Sequence, residues 1–258
     1  MIFTINETEI FANVHIVDKA KDVLVLGHGA TAHAESFGFL YPHLKEVNYI
    51  AYDMPAHLRS KGAPLATIEE MADFAEAFMK EARNVLDLTG GFIFAGHSLS
   101  GAVGIELGIR QTPLKALILI ATTANYEVVT APSFIEDLKN GHLDVSFFSR
   151  GFSPKTPSAY LDGLLAKVHL VSTETMYYDF LASSKFNKTA QLKDITVPTH
   201  VFAGSDDFIV PSEHFESLVA NLSNIQSLAV LEDAGHFLVT EKPEILGAEL
   251  TDIVQKLQ

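Results

Sequence analysis

The sequence predicts an α/β protein, with a mostly parallel sheet of about eight strands and helices on both faces. Short, continuously apolar runs recur along the chain: Val23-Leu24-Val25-Leu26-Gly27, Tyr49-Ile50-Ala51-Tyr52, residues 91–95 and 115–121, and His200-Val201-Phe202-Ala203. Runs without polar alternation suit strands buried on both sides. Helical patterns separate these runs, which implies βαβ units with right-handed crossovers. The chain has 258 residues, 48% of them apolar, enough to bury such a sheet in one unit.

At the start, residues 2–6 and 10–16 read as short antiparallel strands at an edge. After the second apolar run, Met71, Phe74, Ala75, Phe78, Ala82, Val85 and Leu86 follow helical spacing, as do Leu246, Leu250, Ile253 and Leu257 near the end. The stretch 125–190 breaks the rhythm. It lacks an apolar strand and carries many aromatic residues on helical segments, Phe147, Phe148 and Tyr178 among them. It falls between two strands, so the chain divides into a core (1–124 and 191–258) and an inserted helical lid (125–190). Helical packing alone would also use such aromatics. No internal repeat or low-complexity segment is found.

The net charge of −14 argues against nucleic acid and against anionic membrane surfaces as partners. The chain contains no cysteine, which removes disulfides, thiolate metal sites and cysteine catalysis. The first residues lack a basic then apolar leader, and no apolar run approaches the ~20 residues of a membrane span. A cytoplasmic protein is expected, with a small molecule as its partner; monomer and homodimer are not distinguished.

The chemistry-bearing string is Gly96-His97-Ser98-Leu99-Ser100-Gly101, placed after an apolar strand and opening a small-residue helix. A serine at the apex of a sharp strand–helix turn is a nucleophile elbow, and its strained backbone requires small neighbours. Ser100 stands where the G-x-S-x-G pattern has its second glycine. The bland alternative is a tight turn with a capping serine.

Serine needs a base, and the base an orienting acid. His236, in Asp233-Ala234-Gly235-His236-Phe237, follows the apolar strand 227–231, at the sheet edge where open α/β proteins build sites. Asp207 begins Asp207-Phe208-Ile209-Val210-Pro211 after another strand; Asp206 is the reserve, and either carboxylate would also serve as a turn or cap residue. For the oxyanion, the Leu99 N–H follows the serine, and the loop Gly27-His28-Gly29-Ala30-Thr31 offers the Ala30 N–H. That loop also reads as a plain βα turn. His28, His33, His43 and His57 match no zinc spacing and are taken as structural or pocket-lining; His97 is expected beneath the elbow. Neither a phosphate-binding G-x-x-x-x-G-K-[ST] nor an H-E-x-x-H metal motif occurs. No cofactor or metal is expected.

Taken together, His28-Gly29-Ala30, the segment 52–60, the elbow 96–101, the segment 204–211 and Gly235-His236-Phe237 resemble the α/β-hydrolase superfamily over nearly the whole chain. The resemblance implies the α/β-hydrolase fold with an inserted helical lid. Where that family has D-x-x-G-x-G-x-S, this chain has Ala56 and Leu58 for the two glycines, so a differently shaped loop is expected. Residues 181–187, followed by Leu192, Ile195 and Pro198, are similar to the lid-to-core junction of a bacterial subgroup of small carboxylesterases, enol-lactonases and carbon–carbon-bond hydrolases. Asn187 stands where that subgroup usually has aspartate. Family members with an aspartate nucleophile, such as dehalogenases, are disfavoured by Ser98.

The expected function is a cofactor-free serine hydrolase of the carboxylesterase type, acting on a small, partly apolar ester, lactone or thioester. Ser98, Asp207 and His236 would be catalytic, Ala30 and Leu99 would form the oxyanion hole, and Phe147, Phe148, Tyr178 and Phe237 would contact substrate. One alternative is a carbon–carbon-bond hydrolase or lyase, whose carboxylated substrates call for an arginine. Only Arg150 of the four arginines lies in the lid. A ligand receptor that retains the triad is the alternative from another class.

Overall fold

The computed structural model describes residues 1–127 and 129–258. Eight strands form one sheet: β1 (Ile2–Ile5), β2 (Thr8–His15), β3 (Val23–Gly27), β4 (Asn48–Tyr52), β5 (Phe92–His97), β6 (Ala116–Ile120), β7 (Thr199–Gly204) and β8 (Ile225–Leu231). Their spatial order is β1-β2-β4-β3-β5-β6-β7-β8. The first two strands are antiparallel, and all pairings from β4 to β8 are parallel.

Alternation along each central strand feeds two cores. Val23, Val25, Phe92 and Phe94 face one layer, with Phe78 of helix α1 (Ile68–Leu86) and Leu107 of α2 (Leu99–Ile109). Leu24, Leu26, Ile93 and Ala95 face the other. Between β6 and β7 run α3 (Pro132–Lys139), α4 (Ser146–Ser149), α5 (Ser158–Val168) and α6 (Thr173–Ser184). After β7 come α7 (Ser212–Asn221), then, beyond β8, α8 (Leu238–Glu241) and α9 (Pro243–Lys256). Leu246, Leu250 and Ile253 of α9 close the second core.

Sequence chemistry accounts for the element ends. Thr67 caps α1 by accepting the Glu70 amide at 3.1 Å, while the Glu70 carboxylate accepts the Thr67 amide at 3.2 Å. Helix α2 is buried on every side from Leu99 to Gly108, which fits its small and apolar composition. The α3–α6 insertion leaves the sheet through a narrow neck. There the Tyr126 amide donates to the Phe186 carbonyl at 2.9 Å and the Lys188 amide to the Ala124 carbonyl at 2.8 Å. Asn187 donates to the Glu127 carboxylate at 3.1 Å, a bond an ionised aspartate could not make.

The loop after β4 carries the two residues that stand where the family pattern has glycines. Ala56 and Leu58 hold φ of 64° and 39°, so the chain keeps a glycine-like backbone with side chains in place. Such left-handed positions cost roughly 1–3 kcal/mol each, and the loop is held by its own bonds. Ser60 donates to the Asp53 carbonyl at 2.6 Å, and the Ala56 amide donates to the Lys61 carbonyl at 3.2 Å.

Candidate active site

The carboxyl ends of β3, β5, β7 and β8 gather the candidate residues at one edge of the sheet. Ser98 follows β5 with φ 52° and ψ −116°, a strained conformation for a residue with a Cβ. The strain is enforced by close packing beneath the turn. A Cβ on Gly96 would lie 2.1 Å from the Ser100 carbonyl oxygen, so no larger residue fits there. The Ser98 amide is tied to the Ile120 carbonyl at 2.9 Å, and the Ser98 carbonyl accepts the Thr122 hydroxyl at 2.9 Å.

Three predicted residues form one line. Asp207 Oδ2 accepts His236 Nδ1–H at 2.9 Å, and His236 Nε2 lies 2.8 Å from Ser98 Oγ. With Nδ1–H committed to the carboxylate, Nε2 is left to accept the serine proton. The second Asp207 oxygen takes the Ile209 and Val210 amides, each at 2.9 Å, which fixes the carboxylate. Asp206 points elsewhere, bonding the Ser153 hydroxyl at 2.5 Å. His236 is buried, and its amide donates to the Gly151 carbonyl at 2.6 Å.

His97 lies beneath the elbow and donates Nε2–H to the His236 carbonyl at 2.8 Å. Burial, reinforced by neighbouring His236, pushes its pKa down to about 3. Tyr126, which the sequence did not single out, meets Thr122 Oγ1 at 3.0 Å. Thr122 has already given its proton to Ser98, so the phenol is the donor, and burial raises its pKa to about 12.

Above this line opens a cavity of about 510 Å³. Ala30 and Leu99 line it beside Ser98. Among the described residues, neither of their amides has a hydrogen-bond acceptor in the protein. Phe147, Phe148 and Phe237 are on the wall, together with Phe134, Phe152 and Phe180. Phe134 stacks on Phe147 at 4.6 Å and meets Phe180 edge-on at 4.8 Å. Tyr178 is a correction: it is absent from the wall and packs against Tyr177, ring centroids 5.2 Å apart. Helical geometry explains this, because Phe180 and Ser183 of α6 face the cavity and Tyr178 is turned about 200° from Phe180. Arg150 reaches the wall and sits 5.7 Å from the Phe147 ring centroid.

Residues 23–249 match the alpha/beta hydrolase family. The chain belongs to that family. The hydrolase YugF of Bacillus subtilis, uncharacterized by name, is 23% identical over 98% of this chain and 97% of that protein. Among solved structures, an esterase from Exiguobacterium antarcticum superposes with a TM-score of 0.83 at 20% identity, covering 99% of each chain. An enol-lactonase from Burkholderia xenovorans superposes at 0.76 and 16% identity, covering 99% of this chain and all (100%) of the other. At these identities the likeness is one of fold, and within the alpha/beta hydrolase family the side chains at the site must carry the functional argument.

Among the described residues, no group of three His, Asp or Glu side chains is placed to hold a metal ion. Nor is any described helix long and apolar enough to cross a membrane. His33 lines the cavity, whereas His28 and His57 pack ring to ring at 4.8 Å behind it.

Proposed function

We propose that this protein is a serine hydrolase that cleaves small, partly apolar esters, lactones or thioesters through an acyl-enzyme on Ser98. The observation that carries the reading is the Asp207–His236–Ser98 line, at the foot of an aromatic-lined cavity beside two amides that have no acceptor among the described residues. Ser98 Oγ attacks the carbonyl carbon as His236 Nε2 takes its proton. The oxyanion is held by the Ala30 and Leu99 N–H groups. Collapse expels the alcohol or thiol, which receives the proton from His236, and a water activated by the same nitrogen resolves the acyl-enzyme. Residues 125–190 act as a lid that covers the reaction and shapes the acyl pocket.

The test is a panel of p-nitrophenyl esters of graded chain length, with lactones and thioesters, run on wild type and Ser98→Ala. Turnover should fall in the variant by up to about 10⁶-fold, as when one member of a cooperating triad is removed. A fluorophosphonate probe should label wild type alone; equal labelling of Ser98→Ala refutes the assignment.

Arg150 on the cavity wall favours a second reading, carbon–carbon-bond cleavage of a carboxylated substrate. It predicts that Arg150→Gln selectively impairs substrates bearing a carboxylate. If the variant treats charged and uncharged substrates alike, this second reading fails.

A further inference from the structure

Helix α6 carries a carboxylate that the proposed reaction does not use. Asp179 is 1% exposed. Its Oδ2 accepts the Thr31 amide at 2.8 Å and His57 Nε2–H at 3.1 Å. His57 also gives Nδ1–H to the Pro55 carbonyl at 3.0 Å. Both ring nitrogens therefore face acceptors and both carry hydrogen, which makes the ring an imidazolium. Burial opposes that charge, but the adjacent Asp179 carboxylate outweighs it and holds the His57 pKa above its ordinary value.

Next to this cation, His28 is used in its neutral form. It donates Nδ1–H to the Gly29 carbonyl at 2.9 Å and accepts the Met54 amide on Nε2 at 3.0 Å. Burial, and then the His57 charge, keep its pKa well below the usual range.

These bonds converge on two successive peptides. The Gly29 carbonyl accepts from His28 and from the Ala32 amide at 3.2 Å. Across a trans peptide the N–H points opposite to the C=O, so the Ala30 N–H is turned away from His28. The next peptide gives its N–H to Asp179, and Thr31 there holds φ 62°, an outlying conformation for a β-branched residue.

We propose that Asp179 is a positioning residue for the oxyanion hole. From α6 it holds the Thr31 amide and the His57 imidazolium, so the Ala30 N–H is aimed at the reaction centre only while that helix is seated. The inference rests on the reading of Ser98 as nucleophile. It makes α6 part of the catalytic assembly as well as a cover: a displaced α6 leaves the serine with one oxyanion donor instead of two.

The experiment compares Asp179→Ala with the neutral pair Asp179→Ala/His57→Leu: alanine, unlike asparagine, leaves no oxygen for the Thr31 amide, and removing one partner alone strands a buried charge. In both, kcat should fall about 10–100-fold, a fraction of the loss seen on deleting an oxyanion donor, with KM nearly unchanged. Affinity for phenylboronic acid, which forms a tetrahedral adduct on the serine, should fall by the same factor. Thr175→Val is the control. It removes another bond between α6 and the same loop, from the Thr175 hydroxyl to the Ala56 carbonyl at 3.3 Å, and should lower Tm while sparing kcat and boronate affinity. If Asp179→Ala does not fold, the neutral pair reads the same quantities. Unchanged kcat and boronate affinity in the folded Asp179 variants overturn the proposal, as does an equal loss in Thr175→Val. Wild type that binds neither the boronate nor the fluorophosphonate at Ser98 overturns the reading of the reaction, and this inference with it.

Discussion

Ser100 donates its hydroxyl to the carbonyl of His28, which ties the first turn of α2 to the loop that follows β3. The residue that departs from G-x-S-x-G thus joins the two segments that carry the proposed oxyanion donors. A Cβ on Gly27 would lie 2.7 Å from that of Ser100, so the extra side chain is accommodated by a glycine across from it. Ser100→Ala, and equally Ser100→Gly, should lower stability by about 1–3 kcal/mol through the orphaned His28 carbonyl. That corresponds to a Tm fall of roughly 2–10 °C for a chain of this size, with a several-fold loss of kcat. Thermal melts and ester turnover check this; a Ser100→Gly variant equal to wild type in both would show that the bond has no such role.

The neighbouring carboxylates separate by what they hold. Asp207→Asn should lower kcat by about 10³–10⁴-fold, because the His236 tautomer is no longer set. Asp206→Asn retains an oxygen for the Ser153 hydroxyl and should stay within about tenfold of wild type. Steady-state kinetics of the two variants decide the matter, and a larger loss at Asp206 would reverse the assignment.

Substrate choice should follow the cavity wall rather than aromatic content. Phe147→Ala and Phe148→Ala should shift the preferred acyl length, since a methylene in an apolar pocket is worth about 1–3 kcal/mol. Tyr178→Ala should leave the preference unchanged. The chain-length profile of p-nitrophenyl esters reads this directly, and a uniform loss across all lengths would assign the phenylalanines to packing alone.

Acid should destabilise the protein partly through His97. Its folded pKa of about 3 lies below the unfolded value near 6.5, so the unfolded chain binds the extra proton in that window. Stability is therefore whole above about pH 6.5 and declines as pH falls towards 3, with a limiting slope of about 1.4 kcal/mol per pH unit. His57 runs the other way: its raised pKa gives stability that is present below about pH 6.5 and lost as pH climbs through the folded value. His97→Gln, which keeps an N–H for the His236 carbonyl, should melt progressively higher relative to wild type as pH is lowered from 7 to about 4.5. A constant offset between the two melting curves would show that His97 does not titrate on unfolding.

The strands and their parallel order class were legible in the chain because each depends on local pattern. Continuous apolar runs have one economical burial, and Gly96 before Ser98 reports a turn that excludes a Cβ. The same local logic failed at Tyr178, whose aromatic character does not say which side of α6 faces the cavity. Local preference also does not account for Ala56 and Leu58, whose left-handed backbone is one that side-chain preference opposes.

What the sequence by itself determined is the α/β class, the elbow string and the strand ends after which Ser98, Asp207 and His236 stand. Only the tertiary structure decided which of two adjacent carboxylates meets His236, which aromatics line the cavity, and that Asp179 reaches Thr31 and His57 from 148 and 122 residues away. The physical reason is range. Periodicity and turn chemistry act over a few residues, whereas hydrogen-bond partners so far apart in sequence are chosen by how the packed layers align.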